Sequence, residues 1–296
     1  MIIQEIKRVE MSMNPQLPLG LPAGSEIQNV AFVAEKKPGQ KVLLELPPAI
    51  QRFAIAVEVD AASKENALPI DLQILSITAE NHQDVDLQSL ARDWVVSGSI
   101  NSGSQLQLMT LQGAQVFWSA GRVAVIARAD RLNLIRKALI EASWYEQELR
   151  DIEQKLAAAW PQMEADMPLA FTFDERSLNK HTQLQQRFQQ IKLIQARLAR
   201  LGPHVNCPHL HPPTLASQVS ERFRERNQMI HRHEFLEEQV EVFEDVYDSC
   251  GQRASDFIES RKGHMLEWVI IVLLTTQLLL WVFELLTSAA APVTGQ

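Results

Sequence analysis

Met265 to Leu286 is the stretch that most narrows what this chain can fold into. It is almost wholly apolar. As a helix of about 22 residues rising about 1.5 Å each, it spans roughly 33 Å, close to the hydrocarbon thickness of a bilayer. Core helices of soluble proteins are seldom apolar all round over such a length. Trp268 and Trp281 stand near its two ends, where amphipathic rings favour the headgroup level. Arg261 and Lys262 precede the stretch, and no Lys or Arg follows it. The positive-inside rule then expects one membrane pass with residues 1–263 cytoplasmic. A bacterial inner membrane is the simplest host; in a eukaryote the mitochondrial inner membrane takes its place.

Composition removes several function classes. The net charge of -8 argues against a nucleic-acid surface, which needs clustered bases. Cys207 and Cys250 are the two cysteines and show no paired spacing, as in a reducing compartment. Glu5, Lys7, Arg8 and Glu10 are mixed into the first 20 residues, unlike a signal peptide or an acid-poor transit peptide. Insertion is therefore expected through the C-terminal segment.

The pattern along the chain predicts an α+β fold. A mixed α/β domain covers 1–128, and a long-helix bundle or coiled coil covers 129–263. A transmembrane helix covers 264–288, and 289–296 is a short tail. Strand-like runs are 54–59, 70–77, 105–109, 114–118 and 122–127, with a turn at Gly121 and a short helix over 84–91. Asp130 is the expected cap of a helix that Pro161 ends or kinks; Asp174 caps a second helix that Gly202-Pro203 stops. A third helix is expected to run unbroken from Thr214 into the membrane. Along it, Leu236, Val240, Phe243, Tyr247, Cys250, Ala254 and Phe257 recur at heptad spacing and form an apolar seam.

Motifs for chemistry are sparse. His204, Cys207, His209 and His211 could offer four donors to zinc, but their spacing is irregular and interrupted by Pro208, so no metal is expected there. No phosphate-cradling loop and no Ser/His/Asp or Cys/His set supports an active site. The chain reads as a non-enzyme without a cofactor. Its candidate residues concern the membrane and self-association: Phe243 and Tyr247 on the seam, then Glu267, Trp268, Thr275, Gln277, Trp281 and Glu284. Polar groups in hydrocarbon usually face a partner. A parallel homo-oligomer is expected, with any further protein partner unnamed by the sequence.

His264-Met-Leu-Glu-Trp-Val-Ile-Ile271, the acidic amphipathic run Glu237 to Ile258, Ala142-Ser-Trp-Tyr-Glu146 and Leu201-Gly-Pro-His-Val-Asn206 are similar to the required-for-meiotic-nuclear-division family of single-pass proteins. The similarity covers about 140–296, and Gln277 stands where that family often has an acid. It implies an anchored scaffold, since eukaryotic members sit in the mitochondrial inner membrane and support mitochondrial translation without a known catalytic activity. The alternative is an oligomeric cation channel. Seven acids and no base lie between Glu234 and Asp248 and could form an acidic vestibule. The layout resembles magnesium channels of the cobalt-resistance type, but those have two membrane helices and a Gly-Met-Asn signature absent here. A metal-dependent enzyme using the His/Cys loop is the third reading.

Overall fold

The computed structural model describes residues 18, 20–58, 69–98, 106–111, 113–206 and 214–289, the last six of these by backbone alone. The fold is mixed α/β: an N-terminal sheet, then long helices, the last of them apolar at its C-terminal end. Two compact units divide the chain. The first takes Met1–Ala157 and Ile194–Gln239, and the second takes Ala158–Leu193 and Val240–Gln296.

The first unit is built on a seven-stranded sheet. Its strands are β1 (Glu26–Val33), β2 (Val42–Glu45), β3 (Phe53–Ala56), β4 (Leu72–Thr78), β5 (Gln107–Leu111), β6 (Ala114–Ser119) and β7 (Arg122–Ala127). They lie in the order β2-β3-β1-β4-β7-β6-β5. Only β4 and β7 pair in parallel, from Gln73↔Arg122 to Thr78↔Ala127. A parallel pair needs a crossover. Here helix α1 (Val85–Ser97) and the β5–β6 hairpin supply it. Asp84 starts α1 by accepting from the Asp86 and Leu87 amides at 3.0 and 3.4 Å. Leu87, Ala91, Trp94 and Val95 then cover one sheet face, over Leu75, Ile77, Phe117, Ala124 and Ile126. Between β6 and β7 the chain reverses in two residues, and Gly121 takes φ +80° there, open to glycine at no steric cost.

Every strand expected from the sequence has a counterpart: 122–127 matches β7 at both ends, the others shift at one or both ends, and the expected end residues Val59 and Gln105 lie outside the described residues, while β1 and β2 carried no clear signal. β1 has apolar residues on both faces and a buried Asn29 in the middle, so it shows no period-two alternation. Gln73 satisfies that Asn29 by donating to its Oδ1 at 3.0 Å.

The helices depart from expectation at their ends. Helix α2 (Ala129–Asp166) runs through Pro161. A proline inside a helix costs about 3 kcal/mol. The turn beyond it buries Met163, and the end residue Asp166 is ion-paired to Arg187, which offsets that cost. The chain leaves α2 at Met167-Pro168 instead. Asp174 caps a 3-10 turn (Glu175–Lys180) that leads into helix α3 (His181–Asn206). Pro203 does not stop α3, because Leu201 and Val205 are buried on either side of it. Thr214 does cap the next helix, in a reciprocal capping box with Ser217, but helix α4 (Leu215–Arg226) is short. The expected single helix is broken at Asn227-Gln228. Asn227 donates its side-chain amide to the Phe223 carbonyl at 3.0 Å, and Gln228 turns left-handed at φ +49°. Helix α5 (Met229–Ala289) then runs for 61 residues, and neither Gly251 nor Gly263 interrupts it.

Candidate functional site

In the second unit, the seam on α5 is covered by the same chain. Val240, Phe243, Tyr247, Cys250 and Ala254 are buried. Trp160 packs edge-on to Phe243 at 4.9 Å between ring centroids, and Phe173 meets Phe257 at 5.9 Å. Phe243 and Tyr247, expected to serve assembly, are therefore internal packing residues and present no surface to a partner. The seam was legible; what covers it was not, because a heptad pattern does not say whether its partner is the same chain or a copy.

Around Asp166 lies a buried polar cluster. Arg187 pairs with its carboxylate, and the Cys250 thiol donates to its main-chain carbonyl at 3.7 Å. Burial pushes the Tyr247 hydroxyl up to about 12 and the Cys250 thiol up to about 11, in both cases reinforced by the nearby Asp166 charge. Cys250 is thus an inert buried thiol.

The face of α5 away from the seam carries Glu241, Asp245, Asp248, Asp256 and Glu259, all exposed. None of these five has an ion-pair partner among the described residues; Asp248 accepts from Gln252 at 2.8 Å. Glu244, closer to the seam, pairs with Lys192 at 3.1 Å.

Beyond Glu259 the character changes. Arg261 pairs with Glu175 at 3.1 Å, and His264 Nδ1 lies 3.2 Å from Glu267 Oε2. From Met265 to Phe283 α5 is wholly exposed, and none of its apolar window is buried. Trp268 and Trp281 are 13 residues apart, hence about 20 Å along the axis. Thr275 and Thr276 donate their hydroxyls to the Ile271 and Val272 carbonyls, each at 2.7 Å. Their polarity is therefore met inside the helix. Gln277 differs: its amide has no partner among the described residues. Glu284 lies on the same helix, two turns on.

The first unit holds ion networks that sequence reasoning missed. Glu146 is only 3% exposed and takes Arg150 at 2.5 Å and Arg232 at 3.5 Å; Arg232 also grips Glu153 at 2.6 Å. Burial raises the Glu146 pKa against the pull of both arginines. Arg197 joins Glu148 and Asp151 at 2.5 and 2.7 Å. Glu146 and Arg150 are one helical turn apart, a spacing the sequence shows, but the partners that Arg232 and Arg197 bring lie 46 to 86 positions away, too far for local spacing to reveal. His204 stacks on Tyr145 at 5.8 Å with the rings nearly parallel. Cys207, His209 and His211 lie outside the described residues. Among the described residues, no three His, Cys, Asp or Glu side chains gather at one point that could hold a metal.

No family model matches this chain, and no curated protein matches it. Among solved structures it is similar to one described as the structure of the full-length CmaX protein, with 12% identity over 82% of this chain and 83% of that one, at a TM-score of 0.36. A likeness at that level carries no argument about this chain.

Proposed function

We propose that this chain is a membrane-anchored, non-enzymatic scaffold that assembles as a parallel homo-oligomer through its last helix. One observation carries the reading: an exposed apolar helix from Met265 to Phe283 whose hydroxyls are satisfied but whose Gln277 amide has no partner among the described residues. Exposed in water, that surface would aggregate; in lipid it is at rest, except for Gln277. The family resemblance at Leu266-Glu267-Trp268 supports the same reading. Arg261 and Lys262 ahead of the apolar stretch support, by the positive-inside rule, an orientation with residues 1–263 on the cytoplasmic side; the host we propose is a bacterial inner membrane. Protease added to intact spheroplasts should spare the N-terminal part and digest it only after lysis. Digestion from outside would reject this orientation, and recovery of the full chain in the soluble fraction would reject the anchor.

A second reading is an oligomeric cation path. It is favoured by the exposed acids Glu241, Asp245, Asp248, Asp256 and Glu259, which have no basic partner among the described residues and are carried on the helix that continues to Gln277. In a parallel assembly they would concentrate cations above the bilayer. Purified protein in planar bilayers should then conduct, with conductance reduced by Asp256→Asn and Glu259→Gln. No current above that of empty membranes would exclude this reading and leave the scaffold standing.

A further inference from the structure

The sheet of the first unit ends in two edge strands of opposite character. β2 is four residues long and shifts register between Val42 and Leu44. It also carries Glu45, which pairs with Lys36 at 3.4 Å. Short, irregular, charged edges discourage another strand from adding. β5 has none of these devices. Its five residues pair with β6 in unbroken register from Gln107↔Trp118 to Leu111↔Ala114, and they include neither proline nor charge. Leu108 is 45% exposed on it. In an antiparallel strand with one neighbour, alternate N–H and C=O groups point away from that neighbour. Among the described residues, none of those on β5 has a further backbone partner.

α4 runs beside this edge. Arg222 and Arg226 lie one turn apart on it, and with Leu108, Met109 and Thr110 they line a cavity of about 410 Å³. Among the described residues the lining holds two guanidinium groups and no carboxylate, in a chain whose net charge is -8. Arg222 reaches Glu225 at 3.0 Å, a pair exposed on both sides, and Arg226 has no ion-pair partner among the described residues.

We propose that the β5 edge is a docking site for an extended acidic segment of a partner protein. The segment adds as a further strand, with carboxylates on Arg222 and Arg226. Spacing supports the pairing. Alternate residues of a strand stand roughly 7 Å apart on one face. Residues four apart on a helix stand about 5–6 Å apart, well within the reach of two long side chains. An acid-x-acid sequence thus meets both arginines while its main chain pairs with β5. Strand addition supplies affinity through the backbone, and charge supplies selection.

The test uses the full chain in mild detergent and a fluorescein-labelled Val-Glu-Val-Glu-Val-Glu-Val peptide, followed by anisotropy. Saturable binding is expected. It should weaken at least about tenfold in R222E/R226E, as for loss and reversal of charge-assisted bonds. Both arginines are exposed, and unchanged circular dichroism would show that the variant folds. Bound peptide should also slow amide exchange at 107–111. Four outcomes overturn the proposal: no saturable binding, equal binding by the double variant, unchanged exchange on β5, or displacement of the peptide by an equal concentration of oligo-dT. The last would mark an unselective anion patch.

Discussion

At the scale of single residues, the first unit depends on polar side chains that close off main-chain ends. Arg122 is the clearest case. It donates to Gln73 Oε1 at 2.9 Å and to the Trp94 carbonyl at 2.9 Å, and its guanidinium lies 4.8 Å from the Trp94 ring centroid. It thereby satisfies the end of α1 and ties that helix to the sheet. Gly98 leaves the space for it: a Cβ there would stand 1.7 Å from Arg122 Cζ. The backbone at Gly98 has φ -123°, open to any residue, so the constraint is room and not conformation. Gly98→Ala would push the guanidinium off both acceptors. The expected loss is about 1–2 kcal/mol, one or two hydrogen bonds from a charged donor. Thermal unfolding of the variant should read it. An unchanged midpoint would mean that Arg122 re-forms its contacts elsewhere. Asp151 offers a pH signature. Burial alone would raise its carboxyl, but hydrogen bonds from Lys155 and Arg197, each at 2.7 Å, hold it below the ordinary carboxylate value. A depressed folded pKa contributes stability above the unfolded pKa and loses it as pH falls through the folded one. Stability should therefore drop below about pH 4 for this group. Arg197→Gln should shift that acid limb upward, with a modest cost of about 1 kcal/mol near neutrality because the pair is partly exposed.

At the scale of elements, the second unit shows where a sequence pattern stops being informative. The spacing of Val240, Phe243, Tyr247, Cys250 and Ala254 announces a packed helix face, and that face is packed. Its partner comes from Ala158–Leu193, reached by α2 running past Pro161. Proline rules predict a break there because they price the lost hydrogen bond and not the tertiary contacts beyond it. The break that does occur, at Asn227-Gln228, has no glycine or proline to mark it. It follows from one side-chain hydrogen bond and one left-handed residue. The apolar end of α5 and the strands β4, β6 and β7 were legible because their apolar content is dense or regular. The ion networks that join α2 to α3 and α5, by contrast, depend on tertiary proximity. Phe243→Asp tests the internal role of the seam. Phe243 has no exposed surface and sits against Trp160. Removing the ring and burying a charge should cost more than about 4 kcal/mol. Limited proteolysis should then open the second unit, even in detergent-dispersed monomers. Asp245→Asn, two residues on and exposed, should stay within about 0.5 kcal/mol of the parent. If Phe243→Asp instead left the unit protected, the packing on α5 would have been assigned to the wrong partner.

At the scale of the whole molecule, the assembly proposed above must be held by what remains once the seam is used inside each chain. The part of α5 before Arg261 offers a poor surface for it. Glu241, Asp245, Asp248, Asp256 and Glu259 would face the same acids on a neighbour, and like charges repel. Between membrane segments, apolar contact gains little, since lipid tails are as apolar as leucine. What a copy can offer is a hydrogen bond. Gln277 carries both a donor and an acceptor, so identical helices at the same depth satisfy each other, and a shared membrane fixes them parallel. Thr275 and Thr276 do not compete, because their hydroxyls are already bonded within the helix. Interhelical bonds of this kind contribute about 0.6–2 kcal/mol in lipid. Gln277→Leu should therefore weaken association by about 3- to 30-fold per contact, while leaving the fold and the membrane anchoring intact. Thr275→Val should have a much smaller effect. Light scattering across a range of detergent-to-protein ratios would separate the variants, with wild type retaining its oligomer at dilutions where Gln277→Leu is monomeric. Equal dissociation of the two chains would remove Gln277 from the interface. A wild-type chain that is monomeric throughout would reject the assembly itself and, with it, both the scaffold and the cation path.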